Sequence, residues 1–172
     1  DNIENWDVSN VTTMHEMFKS ANTFNQPLNT WDVSNVVSMY GMFQNAQSFD
    51  QPLNNWNVSN VVNMERTFNA ASNFTGKGLT NWNVSGVTNM YRMFSGTSLD
   101  CGISSSDCDI SNWNVSNVTN MVLTFADMTG DVDLSGWNVS NVTDMNSMFY
   151  GTSPESFGIS GWNMSNVTSI AA

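Results

Sequence analysis

The stretch Trp31-Asp32-Val33-Ser34-Asn35-Val36-Val37-Ser38-Met39-Tyr40-Gly41-Met42-Phe43-Gln44-Asn45-Ala46-Gln47-Ser48-Phe49-Asp50-Gln51-Pro52-Leu53 holds two hydrophobic rhythms in succession. In the first, Trp and Val face inward with Asp and Ser outward between them, the alternation of a half-buried strand. In the second, Met39, Met42, Phe43 and Ala46 stand at i, i+3, i+4 and i+7, which describes one face of a helix. Phe49-Asp50-Gln51-Pro52-Leu53 then closes the unit, because proline stops a helix and favours an extended approach to the next strand. The stretch predicts strand, turn, short helix and return loop.

The same unit recurs along the chain. Trp6, Trp31, Trp56, Trp82, Trp113, Trp137 and Trp162 are spaced 25, 25, 26, 31, 24 and 25 residues apart. An aliphatic stands three residues before each: Ile3, Leu28, Leu53, Leu79, Ile110, Leu134 and Ile159. A fixed period in this range signals a solenoid, in which one unit cannot bury both its faces but stacked units can. The expected fold class is α/β: a solenoid of seven coils over residues 1–172, with a parallel sheet on one face and short helices on the other. At roughly 4.8 Å per coil the sheet would be about 30 Å across. Asn10 or Thr12, Asn117/Thr119 and Asn141/Thr143 stand where side chains would cap the helices. Coils at both ends read as incomplete, from Asp1 to Asn5 and from Thr168 to Ala172, and residues 99–110 read as an insertion.

Composition narrows the function classes. Lys+Arg number 4 against Asp+Glu 15, a formal charge of −11. Lys19, Arg66, Lys77 and Arg92 cannot neutralise a row of phosphates, so nucleic acid and anionic lipid are poor partners. No apolar run approaches the roughly 20 residues of a membrane span, so direct membrane insertion is not expected.

The phrase Trp-Asp-Val-Ser-Asn-Val-Thr, followed by Met-x-x-Met-Phe-x-x-Ala and Phe-Asn-Gln-x-Leu, resembles the BspA-like surface-protein repeats, a short leucine-rich-repeat variety. Residues 6 to 28 and 31 to 53 carry every element of it. The resemblance implies a secreted or cell-surface leucine-rich-repeat solenoid used for adhesion or ligand binding, without enzymatic activity. Thr67 and Thr124 in place of the second Met, Gly86 in place of the turn Asn, and a rewritten fourth return loop depart from the pattern.

Catalytic chemistry has little to work with. His15, the single histidine, lies between Met14 and Glu16 on the outward side of the first helical phrase, and a His base needs an orienting partner and a nucleophile. Glu16 and Glu65 share that outer face, and no phosphate loop or His/Cys ligand spacing is present, so neither catalytic residue nor cofactor is assigned. Cys101 and Cys108 flank one small hydrophilic loop and read as a disulfide fastening the insertion. Asp100, Asp107 and Asp109 crowd the same loop as a weak calcium candidate, with a solvated acidic loop as the default. Ten Asn match the glycosylation pattern, but the repeat itself generates nine of them, which leaves Asn73 as the acceptor to test first.

The outward columns carry the functional reading. Asn57, Asn83, Asn114, Asn138 and Asn163, then Ser59, Ser85, Ser116, Ser140 and Ser165, then Thr88, Thr119 and Thr143 form a regular, nearly uncharged surface. Such a face suits a protein or glycan ligand. A regular Thr/Ser/Asn array adsorbing to ice is the first alternative, against which Asp7, Asp32, Val37 and Val62 count. The second is a structural subunit that self-associates through its open coil ends into a filament or larger surface assembly. The plainest reading is that the Asn and Ser ladders satisfy one another between coils.

Overall fold

In the Trp31 phrase the backbone closes on itself at once. The Trp31 amide donates to the Leu28 carbonyl at 3.0 Å and the Val36 amide to the Val33 carbonyl at 2.9 Å. Between them Asp32 Oδ1 accepts the Ser34 amide at 3.0 Å. An Asx side chain that takes the amide two residues on mimics a backbone turn. The same closure appears at Val61, Val87, Val118, Val142 and Val167, each donating to the residue three before it. Trp and both Val still face inward, but the segment between the two Val turns instead of running on as a strand.

The computed structural model describes residues 2–103, 105, 107–152 and 157–171. Asp1 and Ala172, the outermost residues of the two expected incomplete coils, lie outside them, as do Ser104 and Ser106 of the expected insertion. Successive coils meet in parallel, yet each contact is an isolated bridge one residue wide: Thr13 to Ser38, then on through Asn63, Asn89, Asn120 and Asp144 to Ser169, with a separate bridge from Cys101 to Val132. The only helical segments among the described residues are two three-residue 3-10 turns, Leu79–Asn81 and Ile159–Gly161. The α/β leucine-rich-repeat solenoid is thereby overturned. The described residues contain neither a parallel sheet nor an α-helix, and the chain is a stack of coils built almost wholly from turns.

The physical reason lies in the Met39 to Ala46 phrase. The Met42 amide donates to the Met39 carbonyl and the Ala46 amide to the Phe43 carbonyl, at 3.1 and 3.0 Å, so the phrase is two consecutive four-residue turns. The first and fourth residue of each turn point inward. That yields Met39, Met42, Phe43 and Ala46, all fully buried, and reproduces the helical i, i+3, i+4, i+7 pattern without a helix. The third residue of each turn has positive φ, Gly41 at 59° and Asn45 at 58°, as a type II turn requires. Equivalent positions carry non-glycine residues elsewhere: Glu16, Ser20, Arg66, Ala70, Arg92, Leu123, Asp127 and Ser147.

The remaining amides reach across to the next coil. Met14, Glu16, Phe18 and Ser20 donate to the carbonyls of Ser38, Tyr40, Met42 and Gln44, and Met39, Gly41, Phe43 and Asn45 to those of Asn63, Glu65, Thr67 and Asn69. Amides committed to a neighbouring coil cannot bond four residues back, so a helix is excluded here. The side chains expected as helix caps serve the stack as well. Asn117 and Asn141 donate to the carbonyls of Ser85 and Ser116, and Thr119 and Thr143 to those of Thr88 and Thr119.

Columns of like residues fill the interior. The indoles of Trp56 and Trp82 stack with centroids 6.2 Å apart, and those of Trp82, Trp113 and Trp137 continue at 6.3 Å. Each indole N–H donates to an aliphatic carbonyl of the preceding coil, Trp31 to Ile3, Trp56 to Leu28 and Trp82 to Leu53. A buried indole donor usually requires such a partner. Phe18, Phe43, Phe68, Phe94, Phe125 and Phe149 form a second column with centroids 5.5 to 6.0 Å apart. Thr67 and Thr124 replace Met while fully buried, and each hydroxyl bonds the carbonyls of two Met, Met39 and Met64 for Thr67, Met90 and Met121 for Thr124.

The insertion returns to the stack. Cys101 and Cys108 form the expected disulfide, with Cα atoms 4.6 Å apart and both residues buried. It sits over Gly76, where a Cβ would fall 2.7 to 2.9 Å from Leu99 Cδ1 and both sulfur atoms. The loop is also tied at the backbone, with Gly78 N donating to Asp107 O and Cys101 N to Asp131 O.

Candidate functional site

Along the outward face, the first polar column is partly consumed by the fold. Asn57, Asn83, Asn114, Asn138 and Asn163 each use Oδ1 to accept the amide of Ser59, Ser85, Ser116, Ser140 or Ser165 at 3.1 to 3.2 Å. Those acceptors hold turns. The five Asn are exposed and their amide nitrogens point no hydrogen bond into the described fold, so what reaches solvent is a row of N–H donors at coil spacing.

The Thr column is engaged in a similar way. Thr88, Thr119, Thr143 and Thr168 donate their hydroxyl to a carbonyl of the coil before, leaving the oxygen outward as an acceptor. Val37 and Val62 interrupt this column and are 47% and 42% exposed. In the first two coils Asp7 and Asp32 replace Asn. Asp7 is held below the usual carboxylate range by the Ser9 hydroxyl and then by the Ser9 amide, and Asp32 likewise by Ser34. The face therefore changes from carboxylates to neutral amides at Asn57.

The other candidates are dispersed. His15 is exposed, its ring set edge-on to Tyr40 at 4.5 Å. Among the described residues no group of three His, Cys, Asp or Glu is placed to hold a metal ion, so Asp100, Asp107 and Asp109 do not gather as a calcium site. Asp109 instead accepts the Ser111 amide and hydroxyl. Asn73 is exposed. No helix among the described residues is long and apolar enough to cross a membrane.

Sequence reasoning missed a cluster on the wall of four-residue turns. Tyr40, Glu65 and Tyr91 occupy one repeat position and Arg66 and Arg92 the next, so the stack brings them together. Arg66 Nη1 donates to the Tyr40 hydroxyl at 2.9 Å, its Nε lies 3.8 Å from Glu65 Oε1, and its Cζ is 5.1 Å from the Tyr91 centroid. Hydrogen bonding to Tyr91, ahead of the effects of Tyr40 and Glu65, raises its pKa above the ordinary arginine value. Arg92 lies over the same Tyr91 ring, its Cζ 5.4 Å from the centroid. Aligning the units by their Trp would have exposed this, since half of the chain's four basic residues fall in one column.

The profile of a family described as "Mycoplasma protein of unknown function, DUF285" matches residues 1–106 and again 77–172. The family is of the surface-repeat type, which accords with the BspA-like resemblance without being the same assignment and points to the cell surface. No curated protein and no solved structure matches the chain significantly.

Proposed function

We propose that this chain, which belongs to the DUF285 family, is a non-enzymatic binding module displayed at the cell surface, with its ligand lying across the outward Asn, Ser and Thr columns. One observation carries the reading. The Asn57, Asn83, Asn114, Asn138 and Asn163 amides are oriented by their own turns and leave their N–H donors outward in a register that the buried Trp column maintains. Donors already fixed in place lose little conformational entropy on binding. A peptide or glycan rich in hydroxyl and carbonyl oxygens matches such a row. The ice-adsorbing alternative draws no support, because Val37 and Val62 break the Thr column and Asp7 and Asp32 charge the face.

The test uses a substitution the chain already makes. Asp7 closes its turn as Asn does, so Asn114→Asp with Asn138→Asp preserves the fold while replacing two donors by charged acceptors. In a screen against extracellular-matrix proteins and glycans, the double variant should lose binding by about tenfold or more at an unchanged melting temperature. Binding that survives the exchange places the ligand elsewhere.

A further inference from the structure

We infer that Arg92, with Arg66 and the rings of Tyr40 and Tyr91, forms a carboxylate-binding site for an acidic saccharide whose neutral sugars lie along the adjoining polar columns. This rests on the binding reading above and names the ligand class. The argument starts from charge. Lys19 pairs with Glu16, Lys77 with Asp50 and Arg66 with Glu65. Among the described residues Arg92 has no ion pair, although the chain holds 15 acidic residues. Its Nε is buried without a hydrogen-bond partner, and a buried donor left so is costly. Among the described residues Arg92 is the one Lys or Arg side chain without an ion pair, and with its Nε enclosed it is the Nη groups that are left for a ligand.

The setting is prepared for an anion. Arg92 has positive φ, 54°, at the third residue of its turn, so the side chain leaves the wall from a fixed backbone position. Contact with the Tyr91 ring restricts the guanidinium, and Arg66 brings a second positive charge to the same ring. A planar guanidinium held in this way suits a carboxylate, whose two oxygens it bonds together. Arg66 is already engaged by Tyr40, Tyr91 and Glu65 and acts as a positioning residue.

The remaining charge decides which carboxylate bearer fits. At −11 overall the protein repels densely anionic chains. A saccharide with one carboxylate per neutral sugar meets Arg92 with little repulsion, and its hydroxyls meet the exposed Thr88 one phrase upstream in the same coil. An acidic peptide brings more charge and fewer hydroxyls.

Calorimetric titration of the full chain tests this with three probes: a tetrasaccharide alternating glucuronate with a neutral amino sugar, the same compound with its carboxyls reduced to alcohols, and tetraglutamate. The acidic saccharide should bind at least about tenfold tighter than the reduced one. Arg92→Gln should abolish that preference, bringing the acidic saccharide down to the affinity of the reduced one, and Arg92→Lys should restore part of it. A melting temperature within a few degrees of the parent shows that the variants fold, and Arg92→Lys carries the test if Arg92→Gln does not. Equal affinity for the two saccharides, an unaltered preference in both variants, or tetraglutamate binding as tightly as the saccharide overturns the inference. Binding of the reduced compound alone overturns it but leaves the polar-column reading standing. Binding of neither saccharide beside a ligand lost by the Asn114→Asp, Asn138→Asp protein does the same.

Discussion

The Trp31 and Trp56 coils and the coil between Trp82 and Trp113 fill the same interior space by different means. In the first two, Phe43 packs on Phe49 and Phe68 on Phe74, each pair with centroids 4.0 Å apart. In the third, Phe94 has no such aromatic partner among the described residues, and Leu99 and the Cys101 to Cys108 disulfide occupy the interior beside Gly76. Where two rings per coil stack, periodicity alone closes the core. Where one ring is missing, the chain substitutes a covalent link and a glycine with room for sulfur.

Breaking the regular side should have the largest effect. Phe43 is fully buried and touches Phe18, Phe49 and Phe68, so Phe43→Ala should cost about 3–5 kcal/mol in chemical denaturation. Replacing both Cys101 and Cys108 by Ser should cost about 2.5 kcal/mol on the chain-entropy estimate for so short a loop. Its hydrogen-exchange signature should stay around residues 99–110 and 131–133, and protection lost equally at Phe43 would show that the two regions are not separate. Ala70→Gly should stabilise by about 1 kcal/mol, because Ala70 has φ 57° and a Cβ opposes that conformation. A helix would instead lose about 1 kcal/mol from the same change, so the sign decides between helix and turn.

The smallest effect separates the first two coils from the rest. Asp7 and Asp32 have folded pKa values below their unfolded ones. Their contribution is present above the unfolded carboxylate pKa and is lost as pH falls through the folded value. Acid titration of stability should therefore be shallower in Asp7→Asn, Asp32→Asn protein below about pH 4. An identical acid slope would show that the Ser9 and Ser34 hydrogen bonds do not favour the ionised form.

Much of the arrangement was legible because burial leaves a periodic trace. Trp82, Val84, Val87 and Leu79 are buried as their columns require, and the cysteine spacing announced the disulfide. Secondary structure was not legible, since burial period does not record where amides donate. Met39, Met42, Phe43 and Ala46 satisfy a helix and a pair of turns equally. Gly41, Gly96 and Gly151 recurring at the third turn position were the available sign of positive φ. At the site, Asn114 and Ser116 stand outward as expected, but sequence could not show that one lone-pair side of each Asn is already occupied. Arg92 escaped notice because its significance lies in neighbours from other coils, Arg66 and Tyr40 through Tyr91.

The amides that cross between coils have an electrical consequence. From Met14 to Ser38 through Asp127 to Tyr150 and Met145 to Ser169, those on the turn wall all donate toward the later coil. Away from that wall, bonds such as Val37 to Thr12, Ser48 to Asn22 and Asn73 to Gln47 run the other way and offset part of this. In a sheet, peptide orientations alternate and their dipoles nearly cancel. Here they add, as along a helix, and make the later coils the positive pole of the wall. The turn wall is polarised along the stack, so its two ends are electrically unlike even where their side chains repeat.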